Sequence, residues 1–97
     1  MTDRAQRISA TLAAAFSPAL LQIHDESARH AGHAGAQPGG ETHFAVLLVA
    51  AAFAHQTRVA RSRIVHAALA DEFASGLHAL SLTLRTPEEH AAIDRTP

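Results

Sequence analysis

Two segments of this chain, residues 43–49 and 77–84, carry strand patterning, and the residues between them carry helix patterning. Strands joined through a helix cannot close as a tight hairpin, so they are expected to pair in parallel with a right-handed crossover. That excludes an all-helical bundle and a simple meander, and requires a sheet with helices laid on it. Leu77-His78-Ala79-Leu80-Ser81-Leu82-Thr83-Leu84 alternates cleanly, with His78, Leu80, Leu82 and Leu84 sharing one face. His43-Phe44-Ala45-Val46-Leu47-Leu48-Val49 becomes apolar on both faces by its end. The helix between them is predicted from Thr57 as N-cap to about Ala74, with Gly76 as its stop. Val65, Leu69 and Phe73 form its buried stripe, with Ile64 alongside.

The flanks complete the pattern. Ile8, Leu12, Ala15 and Phe16 make one face of a first helix, capped by Thr2 or Asp3 and ended by Ser17-Pro18. Leu20-Leu21-Gln22-Ile23-His24 reads as a short strand antiparallel to the next. Residues 25–42 read as a loop holding four of the five glycines, and so long a loop in a small domain is commonly functional. Thr86-Pro87-Glu88-Glu89 opens a last helix, with Thr86 as cap, Pro87 in the first turn and Glu89 closing a capping box. The expectation is one α+β domain over 1–97, core about 3–94, ordered helix, strand, strand, helix, strand, helix. Its three-stranded mixed sheet carries the helices on one face.

Composition narrows the chemistry. Cysteine is absent, which excludes disulfides, a cysteine nucleophile and a self-contained thiolate metal site, and fits the cytoplasm. A formal charge of −1 argues against coating nucleic acid or membranes by bulk electrostatics. The longest apolar run, Phe44 to Ala54, falls well short of the ~20 residues a bilayer span needs. Arg4 and Arg7 before an alanine-rich stretch give a faint leader look, but Gln6, Ser9 and Thr11 interrupt it. The anomaly is histidine, at eight of 97 residues.

His30 and His33 stand three apart in the glycine-rich loop, and His78 opens a strand on its leucine face. A histidine on an apolar face is ordinarily a core residue with satisfied ring nitrogens, and a loop histidine is ordinarily just solvated. The spacing is a weak metal signal. An enzyme is not expected: Asp25, Glu26 and Ser27 lie beside His30 in one loop, where a converging triad seldom forms, and Pro38-Gly39-Gly40 lacks the rest of a phosphate-binding loop. Phe53 to Arg63 resembles the second half of a helix-turn-helix, with Arg58, Arg61 and Arg63 in the first turns. Three cations there oppose the helix dipole. No GxxG clamp and no aromatic stacking platform accompany them, and a solvated arginine face is the ordinary explanation.

The stretch from Phe16 to Pro87 resembles the BolA family. The matching pieces are Phe16-Ser17-Pro18, Asp25-Glu26-Ser27 with His30, Gly40-Glu41-Thr42-His43-Phe44 and Arg61-Ser62-Arg63 with Val65. They continue through Leu69-Ala70-Asp71-Glu72 and Leu77-His78-Ala79-Leu80-Ser81-Leu82 to Thr86-Pro87. The resemblance implies an αββαβα domain of class II KH-like topology. It implies a monothiol glutaredoxin partner and a bridging [2Fe–2S] cluster held by glutaredoxin cysteine, glutathione and BolA-type histidines. His78 matches one family ligand; the other is His30 by the E-S-x-x-H spacing, or His33 in the H-A-G-H variant. Imidazoles must be neutral to ligate, so assembly should weaken below about pH 6. His43 also matches the family, with backbone bonding as its expected role. Transcriptional regulation through segment 53–74 is the other implied function. There the sequence departs from the pattern: F-x-G is Phe53-Ala54-His55, and R-H-R is Arg61-Ser62-Arg63.

Overall fold

The computed structural model describes residues 3–26 and 43–94. Helix α1 spans Arg4–Phe16. The Asp3 carboxylate accepts from the Gln6 backbone N–H at 2.8 Å, and the Gln6 side chain accepts from the Asp3 N–H at 3.1 Å, so the orphan donors of the first turn are satisfied reciprocally. Ser17 ends the helix in the left-handed region at φ 45°. Ile8 and Leu12 are fully buried, as the one-faced pattern requires.

Strands β1 (Leu20–Asp25), β2 (His43–Val49) and β3 (Ala79–Arg85) form one sheet in the order β1-β2-β3. β1 and β2 are antiparallel, from Leu20↔Val49 to Asp25↔Phe44. β2 and β3 are parallel, from His43↔Ala79 to Val49↔Arg85. Phe44, Val46 and Leu48 of β2 project into the core, joined by Leu21 and Ile23 of β1 and by Leu80, Leu82 and Leu84 of β3. The opposite face leaves Gln22, His24, Ser81 and Thr83 exposed. A short 3₁₀ turn, Ala51–Phe53, drops Phe53 into the core, where its ring lies 5.4 Å from that of Phe16. Burial of each such large apolar side chain contributes roughly 1.5–3 kcal/mol.

Helix α2 (Arg58–Ala68) follows Thr57, whose hydroxyl accepts from the Ala60 N–H at 3.0 Å. The periodicity predicted one helix to Ala74; the structure breaks it at Leu69 (φ −103°, ψ 18°) and continues as the one-turn helix α3, Ala70–Ala74. The corner has two tertiary anchors: Leu69 is 1% exposed in the core, and Glu72 is held by two arginines of α1. Local propensity reports neither contact.

The start of β3 also differs from the alternation. Gly76 turns at φ +126°, and the Leu77 N–H closes onto the Glu72 carbonyl at 2.9 Å. Leu77 thereby enters the core at 3% exposure, His78 is exposed, and regular alternation begins only at Ala79. His78 is therefore not on the buried leucine face. Helix α4 (Pro87–Asp94) closes the described chain, with the capping box in place: the Thr86 N–H donates to Glu89 Oε1 at 2.8 Å and the Glu89 N–H to Thr86 Oγ1 at 3.2 Å. The fold is αββαβα with its second helix, between β2 and β3, bent in two.

Candidate functional site

The parallel register brings two histidines to one end of the sheet. His43 begins β2 opposite Ala79, so His78, one residue earlier, comes beside it. Their rings meet edge to face, with centroids 6.0 Å apart and planes at 82°. His43 is half-buried and His78 exposed, so this end of the sheet presents imidazole to solvent. The Glu26 N–H donates to the His43 carbonyl at 2.7 Å, so the two flanks of segment 27–42 are tied together at this same end. His30 and His33 belong to that segment and lie outside the described residues. Among the described residues no group of three or more histidines, aspartates and glutamates could hold a metal ion. A metal here would need ligands from elsewhere.

A rigid clamp sets how the chain reaches His78. Glu72 of α3, 8% exposed, accepts from Arg4 Nη1 at 2.9 Å, Arg7 Nε at 3.0 Å and Arg7 Nη2 at 3.1 Å. The Arg7 hydrogen bonds are the main cause holding its carboxyl below the ordinary carboxylate value, against the opposing effect of burial. Arg4 also reaches the Glu72 carbonyl at 3.0 Å, Ser75 Oγ at 3.0 Å and the Ser75 carbonyl at 3.1 Å. A Cβ on Gly76 would stand 3.2 Å from Arg4 Nη2. The turn before Leu77 and His78 is thus fastened to α1. Sequence reading missed this clamp, since an arginine pair on one helix does not announce a glutamate 65 residues on.

The three arginines of α2 are not equivalent. Arg61 is 7% exposed, and four of its five N–H donors are bonded internally. Nε donates to the Gln56 carbonyl at 3.1 Å and Nη1 to the Leu84 carbonyl at 3.2 Å. Nη1 and Nη2 grip the Glu89 carboxylate at 2.7 and 3.2 Å. Its guanidinium also lies 5.8 Å from the Phe53 ring centroid. The Arg61 hydrogen bond, with help from the Thr86 N–H, holds the Glu89 carboxyl down at about 2. Arg58 and Arg63 are exposed, and among the described residues neither has a hydrogen bond or ion pair. His55, where the F-x-G pattern has glycine, adopts φ 64°. The left-handed turn before α2 is therefore kept without glycine.

Beside Arg61, the first turns of α2, residues 82–85 of β3 and Glu89, Ala92 and Ile93 of α4 line an open groove of about 880 Å³. The sequence offered no sign of it, because its walls come from three separate elements. Among the described residues no helix is long and apolar enough to cross a membrane.

Comparison with known proteins agrees with the fold. A family model described as BolA-like protein matches residues 12–89. SufE-like protein 1, chloroplastic/mitochondrial, of Arabidopsis thaliana is 42% identical over 91 residues, which are 90% of this chain and 24% of that protein. The Homo sapiens BolA-like protein 1 is 40% identical over 93 residues, 93% of this chain and 65% of the relative. The chain thus spans less than two thirds of these relatives' length. The solved BolA domain of SufE1 from Arabidopsis thaliana superposes with a TM-score of 0.82 at 40% identity, covering 92% of this chain and 98% of that one. The solved BolA1 from Arabidopsis thaliana gives 0.82 at 41% identity, covering 92% and 97%.

Proposed function

The chain belongs to the BolA family, and on that premise we propose that it is a non-enzymatic adaptor that pairs with a monothiol glutaredoxin and shares a bridging [2Fe–2S] cluster with it. His78 supplies one imidazole, and His30 or His33 the other. One observation carries the reading: His78 leaves the buried face of its strand and stands exposed beside His43. The ends of the segment bearing His30 and His33 are tied at the same end of the sheet.

The donor set fits half of such a site. The chain offers imidazoles and no thiolate, matching a cluster whose remaining ligands come from partner cysteine and glutathione. When bound, the cluster supplies iron and sulfide for onward transfer or a redox-sensitive signal. This chain's own part is to hold neutral imidazoles at a fixed place. The Arg4–Glu72 clamp fixes the turn before His78, and the register with β2 fixes its distance from His43. Absence of cysteine fits a reducing compartment, and we assign the chain to the cytoplasm, although the Arabidopsis relatives are named as chloroplastic.

The test is a visible circular dichroism titration into a glutathione-loaded monothiol glutaredoxin carrying its cluster. Wild type should change the spectrum and His78→Ala should not. An unchanged wild-type spectrum removes the adaptor reading; a changed spectrum that survives His78→Ala removes the ligand assignment.

A second reading, DNA-binding regulation through segment 53–74, is favoured by exposed Arg58 and Arg63 and by the left-handed turn kept at His55. It expects binding that weakens steeply with salt. It is rejected if Arg58→Glu/Arg63→Glu binds DNA as wild type does.

A further inference from the structure

The sheet has two edges, β1 and β3. At β3, Arg61 takes the Leu84 carbonyl at 3.2 Å and α4 packs alongside. β1 is different. The Glu26 N–H donates to the His43 carbonyl at 2.7 Å, one step beyond the pair Asp25↔Phe44 that ends the antiparallel register. Bonded and open positions alternate along a strand, so Leu20, Gln22 and His24 bond to β2, whereas Leu21 and Ile23 turn their N–H and C=O groups outward. Among the described residues nothing bonds to those two from the open side. Proteins ordinarily blunt such an edge with lysine, proline or a bulge. Leu20 to His24 contains no proline and, with histidine neutral, no charge; Asp25 is the strand's one carboxylate.

The helix above this edge is open on the same side. α1 packs on β1 and against α2, and α2 packs on β3, so the flank of α1 away from α2 lies on the β1 side. At about 100° per residue, Ile8 and Leu12 face the core, Arg4 and Arg7 turn one way to Glu72 of α3, and Ser9 and Ala13 turn the other. Ala13 is exposed and Ser9 half-buried, so a neighbouring helix can approach this small, uncharged flank closely.

We propose that β1 is a self-association edge: a second copy of this chain adds to it, antiparallel about a two-fold axis through Gln22, joining the two three-stranded sheets into one. In that register Leu21 and Ile23 of one copy exchange backbone N–H···O bonds with Ile23 and Leu21 of the other. Their side chains, packed against the core, meet as apolar pairs. Gln22 stands opposite Gln22 on the solvent face, where each amide has a donor and an acceptor for the other. Asp25 falls opposite Ala19, so no like charges meet. The strand is complementary to itself, which marks a second copy rather than a foreign strand as the occupant. A net charge of −1 sets little repulsion between copies. Two six-residue strands and a helix flank bury on the order of 1,000 Å², the lower limit for a specific interface, so the dimer is weak and forms as concentration rises. The axis sends the two His43–His78 pairs to opposite ends of the joined sheet, and the proposal does not rest on the cluster reading.

Sedimentation velocity of the full chain from about 10 μM to about 1 mM should show a monomer–dimer equilibrium. In ¹⁵N-labelled protein the amides of Leu21 and Ile23 should shift with concentration. Gln22→Lys and Gln22→Glu each set like charges on residues whose Cα atoms stand about 4.5 Å apart across the axis, and each should weaken the dimer about fivefold. Their equimolar mixture should associate at least as tightly as wild type, because opposite charges then meet. Ala13→Arg should weaken it through the helix flank. Both substituted positions are exposed, and thermal melting checks that each variant folds. A monomer throughout the range, a dimer indifferent to Gln22→Lys or Ala13→Arg, or a mixture no tighter than the single variants would each overturn the proposal. So would concentration-dependent shifts confined to β3 or to the His43–His78 end.

Discussion

Replacing Glu72 with alanine removes the carboxylate that ties α1 to α3. Three charge-assisted bonds are lost, to Arg4 Nη1, Arg7 Nε and Arg7 Nη2, all between 2.9 and 3.1 Å. Arg4, whose side chain is 11% exposed, is left buried with one carbonyl of residue 72 and two Ser75 oxygens as acceptors. Removing one partner of a fully buried pair costs about 3–5 kcal/mol. Arg7 is 42% exposed, so water recovers much of its share, and Arg4 keeps its neutral acceptors; about 2 kcal/mol is the reasoned loss. For a domain of this length that lowers Tm by roughly 8–16 °C. Thermal and urea unfolding of Glu72→Ala beside Arg7→Met measures it, with Arg7→Met expected at about 1 kcal/mol or less. A loss under about 0.5 kcal/mol for Glu72→Ala would refute the clamp as a stabilising device. A loss no larger than that of Arg7→Met would refute the weight given to buried Arg4.

Arg61→Met should cost about 2–3 kcal/mol in urea unfolding, because the carbonyls of Gln56 and Leu84 lose their donor and the Glu89 carboxylate its partner. Acid should destabilise the fold through Glu72 and Glu89, both held below the ordinary value of 4.5, Glu89 at about 2. With native pKa values depressed, the stability they give is full above about pH 4.5 and is lost as pH falls toward 2. The midpoint of unfolding followed from pH 6 to pH 2 should show this, and Glu72→Gln should flatten the fall. His55→Gly relieves a non-glycine residue at φ 64° and should raise stability by about 0.5–1 kcal/mol after the entropy cost of glycine. No gain would mean the His55 side chain has a compensating contact.

What could be read beforehand was whatever local pattern specifies. Thr86, Pro87 and Glu89 are a capping signal within four residues, and the box forms as expected. The apolar runs around Val46 and Leu82 fix two strands, and the helix between them fixes their parallel pairing. Patterning failed at Leu69 and at Leu77-His78, where a distant contact overrides the local period. The same limit applies to the sites. Histidine content and family motifs point to His78, yet its exposure follows from a turn fastened by Arg4 on the first helix. Arg61, Arg58 and Arg63 look alike in sequence; the Gln56 and Leu84 carbonyls and Glu89, on the helix that follows β3, separate the buried one from the other two.

The place of β2 in the sheet has a kinetic consequence. Asp25 pairs with Phe44 and His43 with Ala79, so both ladders close across long stretches of chain. Both closures cost loop entropy before any strand contact repays it, which favours slow, all-or-none folding. Until both are made, Phe44-Ala45-Val46-Leu47-Leu48-Val49, a six-residue run without charge or proline, keeps at least one open edge. Such a segment is a template for intermolecular cross-β stacking. β1 and β3 therefore serve as its sheaths, and a substitution that delays either one exposes the cell to aggregation long before it measurably lowers the stability of the finished fold.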